Sequence, residues 1–191
     1  MLGIFLDQET TGLDSIKHST IDLAFKIIDL KSNDLLIEYQ RVVKQPKSVW
    51  DLRDENSVMV NGFNWDKVCT GREPSIVEQE IISIFTDVGI HRQNSVYICQ
   101  NPGFDRAFYN KIVDIRKQEE RKWPYHWLDL ASMFWCMRIK KSQEAGMSFP
   151  EDMNLSKDDI AAYFGLPKEE KPHLAINGVN HLVLCYQTLF S

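Results

Sequence analysis

The stretch Leu2-Gly3-Ile4-Phe5-Leu6-Asp7-Gln8-Glu9-Thr10-Thr11-Gly12 decides the reading of this chain. A short apolar strand runs into carboxylates at positions i and i+2. Residues spaced this way on a strand project to the same face, so Asp7 and Glu9 stand side by side. Adjacent carboxylates repel unless a cation lies between them. Hard divalent ions such as Mg²⁺ or Mn²⁺ prefer oxygen ligands of this kind. Thr10-Thr11-Gly12 then turns the chain and brings hydroxyl and amide groups beside the carboxylates. A lone D-x-E also reads as a strand ending in an acidic turn, so the meaning of the pair depends on the rest of the chain.

Outward from this stretch, the first half reads as a sheet. Leu2–Leu6, Ile21–Leu30 and Leu35–Val43 form a predicted meander, with turn chemistry at Ser32-Asn33-Asp34. A helix is expected from Glu73-Pro74-Ser75 through Phe85, on the spacing of Ile76, Val77, Ile81, Ile82, Ile84 and Phe85. A buried strand is expected at Ser95–Cys99 and a helix at Asp105–Gln118. Leu128–Met137 starts extended and becomes helical, followed by a polar loop at Ser142–Met153. Helices are expected at Asn154–Phe164 and Gly178–Leu189. Strands first, then strands interleaved with helices, argue an α/β fold with a mixed sheet. At 191 residues a single domain spanning 1–191 is expected.

The formal net charge of −5 gives no global basic footprint, which argues against tight nonspecific nucleic-acid binding and leaves room for a local groove. Cys69, Cys99, Cys136 and Cys185 are scattered, with no C-x-x-C pair for zinc and no disulfide framework. Free thiols in a reducing cytoplasm are the simplest reading. Neither a signal peptide nor a membrane span is visible, so a cytoplasmic chain is expected.

Two further stretches carry chemistry. In Gln100-Asn101-Pro102-Gly103-Phe104-Asp105, a strand end delivers polar side chains and Asp105 opens a helix, where an acid also serves as a cap. In Lys171-Pro172-His173-Leu174-Ala175, a histidine precedes the last helix. Imidazole suits proton transfer near neutral pH, and a solvated or structural loop histidine is the plain alternative.

Together these stretches resemble the DnaQ-like, or DEDDh, 3′–5′ exonucleases, whose members include polymerase proofreading subunits, ribonuclease T and oligoribonuclease. Asp7 to Gly12 matches the D-x-E-T-T-G motif, Gln100 to Asp105 matches H/Q-N-x-x-F-D, and His173-Leu174-Ala175 matches the start of H-x-A-x-x-D. Leu155 to Ile160 and Phe164-Gly165-Leu166 resemble the segment before that third motif, and Asn61-Gly62-Phe63-Asn64 resembles H-G-I-T.

The resemblance implies a ribonuclease H-like α/β fold, a mixed central sheet flanked by helices. It implies a metal-dependent 3′–5′ exonuclease releasing nucleoside 5′-monophosphates from single-stranded DNA or RNA 3′ ends. Two divalent cations, Mg or Mn, would be held by Asp7, Glu9 and Asp105, with His173 as general base. Thr10, Thr11, Phe63 and Asn101 would bind substrate, with stacking on Phe63. A core or surface aromatic is the plain reading of Phe63. A DNA polymerase is a partner class the resemblance allows.

The pattern breaks at one place. The family's fourth acid falls on Gly178, which has no side-chain ligand. Asn177 and Asn180 offer neutral amide oxygens nearby, and His181 lies one turn further along. The competing expectation is a weakened relative that binds nucleic-acid ends, or associates with a polymerase, without cutting. The Trp123–Trp127 cluster reads as core packing, Asp129 as structural, Arg116–Lys122 as a solvated helix end, and Cys136 and Cys185 as core residues.

Overall fold

The computed structural model describes residues 1–190. Its centre is β1 (Leu2–Thr10), flanked by β2 (Thr20–Asp29), whose far edge carries β3 (Leu35–Val42). The three strands are the expected antiparallel meander. Short helices α1 (Lys47–Trp50), α2 (Glu55–Asn61) and α3 (Trp65–Cys69) follow, then α4 (Pro74–Val88), β4 (Ser95–Cys99), α5 (Pro102–Ile112) and α6 (Ile115–Glu120). The chain closes with β5 (Trp127–Asp129), α7 (Leu130–Glu144), α8 (Lys157–Tyr163) and α9 (Ala175–Leu189). The five-stranded sheet has the order β3-β2-β1-β4-β5, with β4 parallel to β1 and β5 parallel to β4. The fold is therefore the expected mixed sheet flanked by helices, of the ribonuclease H-like kind.

Alternation along β1 builds both sides of the core. Ile4 and Leu6 join Phe25, Phe85, Tyr97, Tyr109 and Trp123 on one face. Phe5 joins Ile98, Phe134, Ile160, Val179 and Leu182 on the other. Asp7 and Glu9 continue the second face, so the row that packs the core next to α9 becomes a row of carboxylates in the strand's second half. A third cluster gathers Ile21, Trp50, Val58, Phe63 and Val68 around the short helices.

Several expectations need correcting. The predicted helix over 105–118 is two helices, because Asp114 caps a new start by accepting from the Arg116 amide at 2.8 Å. Strand β1 runs to Thr10, beyond the predicted Leu6, so both carboxylates sit inside the ladder. Helix α7 extends into the predicted polar loop, to Glu144. Helix α9 starts at Ala175, placing Gly178 inside its first turn. Cys136 is exposed, whereas Cys185 is buried. No helix among the described residues is long and apolar enough to cross a membrane.

Candidate active site

Asp7 lies near the middle of the β1 ladder, opposite Ala24, and Glu9 lies opposite Asp22. Asp105 is one turn into α5, at the end of the parallel neighbour β4. It is 1% exposed, and neither carboxylate oxygen has a partner. Its backbone carbonyl accepts from Gln8 Nε2 at 2.8 Å, which ties α5 to β1. Asn101 caps α5 in the left-handed region at φ 58°, a conformation asparagine tolerates. Its backbone N–H donates to Asp129 Oδ1 at 3.1 Å. Asp129 also accepts from the Ala131 and Ser132 amides at the start of α7, which is the structural role expected of it.

Sequence reasoning missed the central ion pair. Lys157, the first residue of α8, reaches Asp7 Oδ2 at 3.2 Å, Glu169 Oε2 at 2.8 Å and the Gly178 carbonyl at 3.2 Å. An ammonium has three donors, and here each meets an acceptor. Gln100 fixes the approach: its amide donates to the Leu155 carbonyl at 2.7 Å, pinning the segment that leads into α8 to the end of β4. Glu169 comes from the loop before α9, and its amide donates to Asp158 Oδ1 at 3.0 Å. Glu169 also faces His173, with Oε1 3.4 Å from Nδ1. His173, Glu169, Lys157 and Asp7 thus form a continuous polar row. The surface-like composition of Lys168-Glu169-Glu170-Lys171 conceals its one inward member.

Glycine inside a helix costs about 0.5–1 kcal/mol relative to alanine, so Gly178 needs a local reason. A β-carbon built there would lie 1.5 Å from Asp7 Oδ2 and 3.1 Å from Lys157 Nζ. Asp7 and Lys157 together occupy the space a side chain at 178 would need. Asn180 is exposed, and Asn177 donates to the Pro172 carbonyl at 3.3 Å, so the structure brings neither amide to Asp7. His181 is buried rather than surface-lying, with Nε2 3.0 Å from the Pro167 carbonyl and Nδ1 3.9 Å from Glu169 Oε2.

The electrostatics report too little positive charge. Burial, then Asp7, Glu169 and Asp22, push the Glu9 carboxyl up to about 8. Burial and then Asp7 hold Asp105 well above the usual carboxylate range. Burial raises Asp7 as well, against the pull of Lys157. Burial raises Asp22 to about 6, although Gln40 and the Ala175 amide favour its charged form. Glu169 is the exception. Burial opposes its charge, yet His181 and Lys157 bring it down to about 2.

Asp7, Glu9 and Asp105 are the residues that could hold a hard cation, and the unpartnered oxygens of Asp105 are what such an ion would satisfy. As they stand, no three His, Cys, Asp or Glu side chains among the described residues close on a metal position. Asp7 Oδ2 is engaged by Lys157 instead.

A cleft of about 310 Å³ opens beside Glu9, lined by Thr10, Leu13, Asn61, Phe104 and neighbours from α2. Thr10 borders it, with its hydroxyl donating to the Gly12 carbonyl at 2.7 Å. Thr11 is fully buried, and its hydroxyl accepts from the Ser19 amide at 3.0 Å. Phe63 is buried in the third cluster, the plain reading of it, and is not among the lining residues. Neither is Asn101. Phe104, within the second motif, takes the aromatic place on the cleft wall. A larger cavity of about 710 Å³ between β5, α7 and the end of α9 is lined by none of these site residues, so its size says nothing about their chemistry.

No protein-family model matches the chain, and no curated protein matches it by sequence. Solved structures do match. Cell-death related nuclease 4 aligns with a TM-score of 0.73 and 14% identity over 99% of this chain and 63% of that one. E. coli exonuclease I in complex with a dT13 oligonucleotide gives 0.72 and 16% over 98% of this chain and 40% of that one. A 3′-exonuclease described for 3′-end recognition of a histone mRNA stem-loop gives 0.70 and 10% over 98% and 63%. The chain spans less than two thirds of each of these structures. In this chain β1 and β4 run side by side and the first turn of α9 meets Asp7 on β1.

Proposed function

We propose that this chain is a metal-dependent 3′–5′ exonuclease of the DnaQ-like kind, removing nucleoside 5′-monophosphates from single-stranded DNA or RNA. The observation that carries the reading is the buried Asp105 carboxylate, unpartnered on both oxygens. A buried carboxylate left without a partner destabilises a fold. Its presence at the end of β4, near Asp7 and Glu9, is accounted for by a cation that these three would share. The fold neighbours support the same reading: two are exonucleases and the third is a cell-death related nuclease.

A bound Mg²⁺ or Mn²⁺ would activate water and offset charge on the scissile phosphate. Asp7, Glu9 and Asp105 would hold it. His173 would receive the proton of the attacking water. Its Nδ1 faces Glu169, which orients the ring and leaves Nε2 as the nitrogen that takes the proton. The cleft beside Glu9 would hold the terminal nucleotide, with Phe104 as a stacking surface that tolerates any base.

The test is digestion of 5′-labelled single-stranded DNA and a matching RNA with Mg²⁺ and with Mn²⁺, beside Asp7→Ala. A one-nucleotide ladder from the 3′ end, absent in the variant, is the expected result, and the faster substrate gives the class. No ladder with either ion overturns the reading, and retained binding of the strand would then select the end-binding module.

A further inference from the structure

We propose that the Lys157 ammonium is a built-in second cation of the site, so that the wild-type chain takes one divalent ion where two carboxylate-bound ions are expected. The proposal rests on the nuclease reading and deepens it.

Three observations carry it. Lys157 Nζ has a full set of acceptors from three different elements, Asp7 of β1, Gly178 of α9 and Glu169 of the preceding loop. Its side chain is 13% exposed and that of Glu169 is 6% exposed, so the pair belongs to the interior of the site. Finally, the side-chain space at position 178, where a fourth acid would stand, is filled by Asp7 and Lys157.

Glycine at 178 removes the negative charge a fourth acid would add, and Lys157 supplies one fixed positive charge beside Asp7, with Glu169 as its second carboxylate partner. A second ion would have to displace an ammonium bonded at 2.8 Å to a buried carboxylate, while finding one ligand fewer than a four-acid site provides. Lys157 is a positioning residue here: it holds Asp7 Oδ2, while Oδ1 accepts from the Gln8 backbone N–H at 3.1 Å, so the orientation of this carboxylate is set before any ion arrives.

Mn²⁺ titration of the full chain, followed by calorimetry and by electron paramagnetic resonance, tests the proposal. One Mn²⁺ per chain, with the spectrum of an isolated ion, is expected for wild type. Lys157→Ala frees Asp7 and Glu169 and is expected to take two ions with a spin-coupled signature. Two coupled ions in wild type, or one ion in a folded Lys157→Ala, would overturn it. Should the variant fail to fold, the wild-type count decides alone. The digestion assay separates the two readings. Two ions with a normal ladder removes the built-in cation and leaves the nuclease, whereas no bound ion and no ladder removes both.

Discussion

Asp7 and Gly178 meet so closely that a β-carbon at 178 would lie 1.5 Å from Asp7 Oδ2. The contact couples the strand that carries the first acid to the helix that follows His173. Gly178→Ala gains about 1 kcal/mol of helix propensity and forces Asp7 away from Lys157. Overpacking of this kind costs about 1–3 kcal/mol, so the variant is expected to melt lower than wild type by differential scanning calorimetry. An unchanged or higher melting temperature would show that Asp7 moves freely.

Removal of one partner from a buried ion pair is costlier than the pair is worth. Lys157→Ala leaves Asp7 and Glu169 facing each other and is expected to destabilise the metal-free chain by about 3–5 kcal/mol. Added Mn²⁺ should recover part of that loss by linkage. Urea melts with a chelator and with Mn²⁺ measure both.

Asp105→Asn separates stability from activity. The carboxylate is buried without a partner, so an amide there is expected to leave the metal-free chain as stable as wild type or more so. The ladder assay should fall at least about a hundredfold if Asp105 holds the cation, a loss of about 2.7 kcal/mol in transition-state terms. A variant that is markedly less stable would contradict the unpartnered state of this side chain.

The pH dependence follows from the raised carboxyls. Asp22 is held at about 6 and Glu9 at about 8 in the fold, both above their unfolded values of 3.8 and 4.5. Such groups contribute stability that is full below the unfolded value and lost as pH rises through the folded one. The metal-free chain is therefore expected to lose stability from about pH 4 to about pH 8. A divalent ion favours ionised Glu9, so its stabilising effect should grow over the same interval. Melting temperatures at pH 5 and pH 8.5, with and without Mn²⁺, give the comparison.

Phe104→Ala should raise KM for a single-stranded oligonucleotide about tenfold with a smaller change in kcat, since one stacked base is worth about 1–3 kcal/mol. Phe63→Ala should chiefly lower stability, because its ring packs in the third cluster. Steady-state kinetics beside thermal melts distinguish the two aromatics.

The sheet and the carboxylate pair were legible because their signals are local. Alternation in β1 fixes which residues face α9, and i, i+2 spacing needs no long-range information. Asp114 was an equally local signal for the break before α6, passed over because the apolar pattern continued across it. Lys157 and Glu169 lie 150 and 162 residues beyond Asp7, in segments whose composition suits a solvated surface. Only the packing of α8 and α9 against β1 brings them inward. The short helices α1 to α3 were missed for a related reason: each is a few residues long and stabilised by the third cluster rather than by its own periodicity.

Lys111 of α5 ties the segment after β1 to the site. Its ammonium donates to the Ser15 carbonyl at 3.0 Å, the His18 carbonyl at 2.5 Å and the Ser19 hydroxyl at 3.3 Å. The link between β1 and β2 is thereby moored to the helix that carries Asp105. Leu13, 76% exposed, rides on that moored segment and lines the cleft, with the exposed Ile16 three residues further along. Under the proposed reading, a nucleotide arriving there would meet an apolar lip tethered to the helix that carries Asp105, which lowers the ordering entropy that binding must give up.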